Sequence, residues 1–168
     1  MSQTSISLSF TLNQTPIEIL VYPHETALSV LRRQMRLTGA KEGCDQAACG
    51  ACTILLDGLP VYACTMLALQ LQDRQITTVE GIQADDGDFH LLQRVFIESD
   101  AIQCGFCTPG MLLSAVALVQ QQPNPTEDEI RDALSGNLCR CGGYQRIVQA
   151  IHEAIHELHH TPDEEPAS

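Results

Sequence analysis

Two rhythms of apolar residues divide the chain. In the first half they recur at every second position, in short runs closed by turn residues. SISLSFT (5–11) alternates polar and apolar, Asn13-Gln14 reads as a turn, and PIEILVY (16–22) follows, so a hairpin is expected. Thr26 is placed to cap a helix over ALSVLRRQMRL (27–37), with Leu28, Val30, Leu31, Met35 and Leu37 at helical spacing. TILL (53–56) and VYAC (61–64) flank Asp57-Gly58, a strong hairpin turn. A short helical stretch (66–71) then leads into the strand QITTVEG (75–81). This ββαββ(α)β order is an α+β module whose sheet is crossed by one helix. It suits a β-grasp, although the pattern alone does not select one.

The polar break DDGD (85–88) ends that rhythm, and the period then becomes helical. An amphipathic helix is expected over 89–97 and a more apolar, central one over 111–120. Thr126-Glu127-Asp128-Glu129 is a capping box ahead of 130–134. The last helix, 145–158, carries Ile147, Val148, Ile151, Ala154, Ile155 and Leu158 on one stripe. Four helices with short loops predict a small bundle. The expected organisation is therefore 1–84, 85–160 and a polar, disordered tail, TPDEEPAS (161–168). No internal repeat is visible.

Composition narrows the chemistry. Apolar residues make up 44 % of the 168, but aromatics only 4 % and Trp is absent. Two domains of this size have thin cores, for which disulfides or metals are the usual supplement, and there are eight cysteines. MSQTSISLSF (1–10) is polar and without basic residues, unlike a secretory leader. Arg32-Arg33 lies inside a predicted helix, and the longest apolar run, about 111–119, is too short to span a bilayer. The expectation is a soluble cytoplasmic protein whose thiols stay reduced, which favours metal or cluster ligation over disulfides. The formal charge of −12, with one Lys and eight Arg, excludes a nucleic-acid binder. The same acidity means that any anionic cluster must be stabilised by local backbone donors.

The spacing of the cysteines is specific. Cys44, Cys49 and Cys52 form C-x4-C-x2-C, and Cys64 follows after eleven residues, the spacing of a plant-type [2Fe–2S] centre. The hairpin accounts for the gap, since a short loop at Asp57-Gly58 brings Cys64 beside Ala51 or Cys52. Gly43 and Gly50 are expected to permit a loop that turns its N–H groups toward sulfur. Zinc is the competing reading, but zinc knuckles usually pair CxxC with CxxC. The second set is Cys104-x2-Cys107, then Cys139-x-Cys141, on two helix–helix loops. Thr108-Pro109 reads as N-cap and N1 of one helix, and Gly142-Gly143 precedes the next, so two helix N-termini would face an anionic group. By spacing alone this set remains open between zinc and a [2Fe–2S] centre.

Together GCDQAACGACTILLDGLPVYAC (43–64), QCGFCTPGM (103–111) and GNLCRCGGYQRI (136–147) resemble the iron–sulfur subunit of the molybdenum hydroxylases, the xanthine dehydrogenase, aldehyde oxidase and carbon monoxide dehydrogenase type. The intervening order agrees over about 5–154. The resemblance implies a plant-type ferredoxin-like β-grasp domain followed by a four-helix domain, each holding one [2Fe–2S] cluster. It implies electron transfer within a multi-subunit oxidoreductase, beside a large subunit with a molybdopterin-type cofactor and, as a rule, a medium subunit with FAD. The first cluster falls to Cys44, Cys49, Cys52 and Cys64, the second to Cys104, Cys107, Cys139 and Cys141. Gln103 and Cys141 match positions where that family approaches the pterin. Ala47 and Gly142 depart from it, which often has Gly and Thr there.

Other candidates are weaker. His152, His156, His159 and His160 lie at helical spacing but read better as a solvated helix than as a metal site. Arg140, between two ligands, reads equally well as a surface residue or as one that tunes the cluster or meets a partner, and Phe106 and Tyr144 read as core. No catalytic triad, nucleotide loop or isolated carboxylate pair is present, so substrate chemistry is expected elsewhere. A zinc-stabilised interaction module and a free-standing ferredoxin are the alternative functions.

Overall fold

The alternation in the first segment becomes a hairpin. β1 (Ile6–Leu12) and β2 (Thr15–Val21) pair antiparallel, Leu12 opposite Thr15. Asn13 and Gln14 have φ of 48° and 67°, the left-handed values that a tight hairpin turn requires. The computed structural model from which this follows describes residues 4–83 and 88–159. β3 (Thr53–Leu56) pairs with β4 (Leu59–Tyr62) through the two-residue turn Asp57-Gly58, and β5 (Gln75–Thr77) lies between β3 and β1, parallel to β1. The sheet order is β2-β1-β5-β3-β4, a β-grasp.

The helix across this sheet differs from the one expected. α1 (Ala27–Ser29) is capped by Thr26, whose Oγ1 accepts from the Ser29 N–H at 3.1 Å. It then widens into a π-wound segment, Val30–Gln34, where the Met35 N–H reaches Val30 O. Arg36, at φ 59°, ends it before the expected limit at 37. Ala27, Leu28, Val30 and Leu31 are buried against Leu8, Phe10, Leu12, Ile54 and Ile76, the first core.

The last strand is shorter than the pattern suggested. β5 stops at Thr77 and the chain turns through Val79–Gly81. The cause is Asn13: its Oδ1 accepts from the Thr78 N–H at 2.9 Å and its Nδ2 donates to Thr78 Oγ1 at 3.0 Å. The first hairpin's turn thus takes the amide that a longer strand would offer to a ladder.

Four helices follow: α2 (Leu91–Glu98), α3 (Thr108–Gln121), α4 (Glu127–Leu134) and α5 (Tyr144–His159). α2 starts later than 89 because His90 caps it, Nδ1 accepting from the Leu92 N–H. α3 starts before 111, with Cys107 rather than Thr108 at the N-cap position. It is central, as expected, being buried at every position from Gly110 to Ala117. α5 buries its stripe except Leu158, which is 46 % exposed.

β3 belongs to both halves of the molecule. Ile54 lies in the first core and Leu55 in the second, among α2, α3 and α5 residues such as Phe96, Met111 and Ile151. The alternation of a strand thereby joins two cores. The expected boundary at 84/85 and the tail 161–168 lie outside the described residues. Among the described residues, no helix is long and apolar enough to cross a membrane.

The capping box of α4 is formed as expected: Thr126 Oγ1 accepts from the Glu129 N–H, and the Glu129 carboxylate accepts from the Thr126 N–H at 2.7 Å. Hydrogen bonds from Gln122 and then Thr126 hold the Glu129 carboxyl down at about 2. A depressed carboxyl stabilises the fold above the ordinary carboxylate range, and that contribution is lost as pH falls through about 2. Thr126→Ala should therefore cost about 1 kcal/mol in denaturant unfolding at neutral pH. Glu129→Gln should flatten the pH dependence of stability on the acid side, and an unchanged slope between pH 5 and 2 would contradict this.

Candidate functional site

The first set of thiols is built on the loop entering β3. Arg32 anchors the approach, its Nη1 donating to Thr38 O at 3.0 Å and Ala40 O at 2.7 Å. The Lys41 N–H donates to Ala51 O, closing the loop that carries Cys44, Cys49 and Cys52. The β3–β4 register, Thr53 opposite Tyr62, continues outward so that Cys64 falls opposite Ala51, with the Ala63 N–H donating to Cys52 O. The fourth thiol is thus returned by the hairpin as expected. Cys52 and Cys64 are buried and hydrogen-bonded to each other, while Cys44 pairs with Cys49 in the more open half of the loop.

Backbone amides converge on the sulfurs. The Ala48 N–H donates to Cys44 Sγ at 3.3 Å, and those of Gln46 and Cys49 point the same way. Together these donors, Gln46 foremost, bring the free Cys44 thiol down to about 7. Burial pushes Cys52 up to about 12. The glycines act differently from expectation. Gly50 has the left-handed φ of 69°, but Gly43 does not; the other left-handed positions are Asp45 (55°) and Ala47 (57°). What Gly43 supplies is space, since a Cβ there would lie 3.0 Å from Cys49 Sγ and 3.3 Å from a Phe106 ring carbon.

The second set sits where α3 and α5 begin. Cys104 pairs with Cys141 and Cys107 with Cys139 through their thiols. Gly105 and Gly142 turn the two loops at φ 78° and 76°. The Phe106 N–H lowers Cys104. Burial raises Cys139, but the amides of Gly143, Cys141 and Gly142, with the Cys107 thiol, outweigh it and leave the group below its ordinary value. Burial lifts Cys107 to about 12. Cys141 is lowered by the Cys104 amide yet ends raised by its pairing with the Cys104 thiol. The Cys139 N–H itself donates to Tyr144 Oη at 2.7 Å.

The arrangement suits a two-iron core. Among the described residues, no three His, Cys, Asp or Glu side chains close on a point that a single metal ion could occupy. The eight thiols instead stand two by two in each set. A [2Fe–2S] core takes four thiolates, two to each iron, so this donor set fits it, and the surrounding N–H groups suit its negative charge.

The two sets meet across a close junction. The Leu138 N–H donates to Cys49 O at 2.9 Å, and Tyr62 Oη donates to Gly136 O at 3.0 Å. Asn137, Ser114 and Thr53 form a buried polar group beside them. None of these residues was expected from sequence. Asn137 enters the sequence reading only within the motif that carries Cys139 and Cys141, and a partner 87 residues away leaves no periodic trace.

Gln103 is exposed beside the second set, its Nε2 3.7 Å from where a Cβ on Gly143 would stand. Cys104, Arg140 and Cys141 are exposed with it. Phe106 and Tyr144 are not core residues, being 47 % and 37 % exposed, and Ile102 and Leu138 are exposed as well. The His152 and His156 rings stand tilted at 57° with centroids 4.7 Å apart, His159 meets Pro123 O, and His160 lies outside the described residues.

The comparisons with known proteins agree with this chemistry. Residues 10–92 match the 2Fe-2S iron-sulfur cluster binding domain family and 78–152 the [2Fe-2S] binding domain family. The nicotinate dehydrogenase small FeS subunit of Eubacterium barkeri is 47 % identical over 89 % of this chain and 95 % of its own length. The small subunit of nicotine 6-hydroxylase from Paenarthrobacter nicotinovorans is 49 % identical over 81 % of this chain and 81 % of its own. The crystal structure of quinoline 2-oxidoreductase from Pseudomonas putida 86 contains a chain that superposes with a TM-score of 0.87 at 43 % identity, over 93 % of this chain and 96 % of that one.

Ala47 carries a side chain at a left-handed φ, which costs an L-residue on the order of 1 kcal/mol. Ala47→Gly should raise stability in denaturant unfolding by about 0.5–1 kcal/mol. Ala48→Gly, outside the left-handed positions, should lower it. Destabilisation by both would show that Ala47 is not strained.

Proposed function

Because the chain belongs to the iron–sulfur subunits of the molybdenum hydroxylases, we propose that its eight cysteines hold two [2Fe–2S] clusters on the path between a partner's molybdenum cofactor and a flavin or other acceptor. The chain is the electron-transfer member of a multi-subunit oxidoreductase, and substrate is oxidised in the large subunit. One observation carries the ligand assignment: two separate sets of four thiols, paired two by two, each met by backbone N–H groups. When bound, each cluster supplies a carrier that takes up and releases one electron. Cys44, Cys49, Cys52 and Cys64 would hold the first, and Cys104, Cys107, Cys139 and Cys141 the second. Neither a zinc-stabilised interaction module nor a free-standing ferredoxin is favoured, since relatives of matching length are small subunits of larger enzymes.

The chain's own residues divide the work. Loops 44–52 and 139–143 orient N–H groups toward sulfur and so offset negative charge on an already acidic protein. Burial of Cys52 and Cys64, and the half-burial of Cys107, limit the access of water to one side of each set. Gln103 and Cys141 are the proposed contacts to the pterin, supported by their exposure and by that of the apolar Ile102, Phe106, Leu138 and Tyr144, each within three residues of a second-set cysteine. Exposed apolar side chains of this kind suit a partner surface. The face with Gln103 would receive the electron, and the Cys44–Cys49 side would pass it toward the FAD-binding medium subunit. We place the first site in a unit of residues 1–84 and the second in a unit of 85–160, and the complex in the cytoplasm, where thiols stay available for cluster assembly.

Two measurements test this reading. Undamaged protein should contain about four iron and four acid-labile sulfide per chain, and Cys64→Ala should halve both while sparing the second set. Zinc in place of iron would overturn the assignment. In the complete complex, Gln103→Ala should slow reduction of the second centre by substrate and leave reoxidation through the flavin nearly unchanged. Rapid-freeze EPR showing only the flavin-side step impaired would reverse the direction.

A further inference from the structure

We propose that Asn137 is a positioning residue that sets the spacing and orientation of one thiol set against the other. Its amide is 3 % exposed and lies between three elements. Nδ2 donates to Gly50 O at 3.0 Å and to Thr53 Oγ1 at 3.3 Å, both on the first loop and strand. Oδ1 accepts from Ser114 Oγ at 2.9 Å, on the buried face of α3. The donor and acceptor ends are therefore committed in opposite directions, and only an amide in this orientation satisfies both. Gly50 directly follows Cys49, and Cys139 stands two residues beyond Asn137. Between them lies the second tie, the Leu138 N–H on Cys49 O.

The close packing around this amide shows that the spacing is built in. A Cβ on Gly110 would lie 2.5 Å from Gly50 O and 2.7 Å from Asn137 Nδ2, and a Cβ on Gly50 would lie 2.3 Å from Gly136 O. Two glycines, one on the first loop and one on α3, thus let the backbones approach the amide directly. Gly50 O keeps two further donors, Thr53 N at 3.1 Å and Thr53 Oγ1 at 2.7 Å, so removing Asn137 leaves that carbonyl satisfied. What is removed is the side-chain link between the sets, leaving the ties of Leu138 and Tyr62 without its support, while all eight thiols and their amide donors remain.

The spectroscopic part of the test rests on the two-cluster reading, and the exchange part does not. In the full chain within its native complex, Asn137→Ala should retain the iron content of the parent protein. The magnetic interaction between the two reduced centres, which falls with the inverse cube of their separation, should weaken or change its anisotropy. By mass-spectrometric hydrogen exchange, the Leu138 amide should exchange at least about tenfold faster while amides within α5 keep their protection. Gly110→Ala, which wedges the same junction open, should act in the same direction. Unchanged Leu138 protection overturns the proposal whether or not iron is present, and faster exchange with an unaltered interaction at full iron overturns it too. Should Asn137→Ala fail to fold, Ser114→Ala removes only the hydroxyl that orients the amide. It should shift both readouts in the same sense, and a parent-like result would overturn the proposal.

Discussion

The structure depends on offsetting the charge of thiolate sulfur within a protein that is itself acidic. With Asp and Glu outnumbering Lys and Arg by 21 to 9, side-chain cations are scarce, and none of the described ion pairs involves the cysteine loops. The compensation comes from the main chain. Left-handed turns at Asp45, Ala47 and Gly50 fold the first loop so that successive amides face inward. The second set uses the loops that open α3 and α5, where the left-handed Gly105 and Gly142 turn the chain just before helix starts whose first N–H groups are unpaired. Two unrelated local folds thus meet one electrostatic requirement.

That requirement explains why neither loop is held by its own sequence alone. Strained turns persist only where surrounding contacts determine them. Here those contacts are the guanidinium of Arg32 on two carbonyls, the β3–β4 hairpin that returns Cys64, and the ties reaching the first loop from Asn137 and Leu138. The first site is therefore supported partly by residues that lie far along the chain.

Much of this was legible in the sequence because it is encoded locally. Cys64 could be brought back to its loop from Asp57-Gly58 alone, since a two-residue turn fixes the register of every residue beyond it. The α4 capping box and the buried α3 followed from local chemistry and period. The misses have a common physical origin. The early end of β5 and the ties of Asn137 are each decided by contacts between distant segments, as with Asn13 on Thr78. Gly43 was assigned a conformational role because glycine permits unusual angles, whereas its neighbours, Cys49 Sγ and the Phe106 ring, require only that it lack a side chain. Exposure misled similarly for Phe106 and Tyr144, whose aromatic character suggests burial in a chain with so few aromatics.

The two-faced burial of β3 bears on how such a module can be rearranged over evolution. A strand whose Ile54 and Leu55 serve different cores leaves no clean seam at which the ferredoxin-like half could be detached. Cut free, it would present Ala51, Thr53 and Leu55 to water along one line next to a glycine-lined notch. That surface invites adhesion, so a lineage releasing this half as a diffusible carrier would first have to recode it with polar residues. Joining further protein to the chain leaves β3 between its two cores, which cutting does not. The fold therefore favours being joined to more protein over being divided into less.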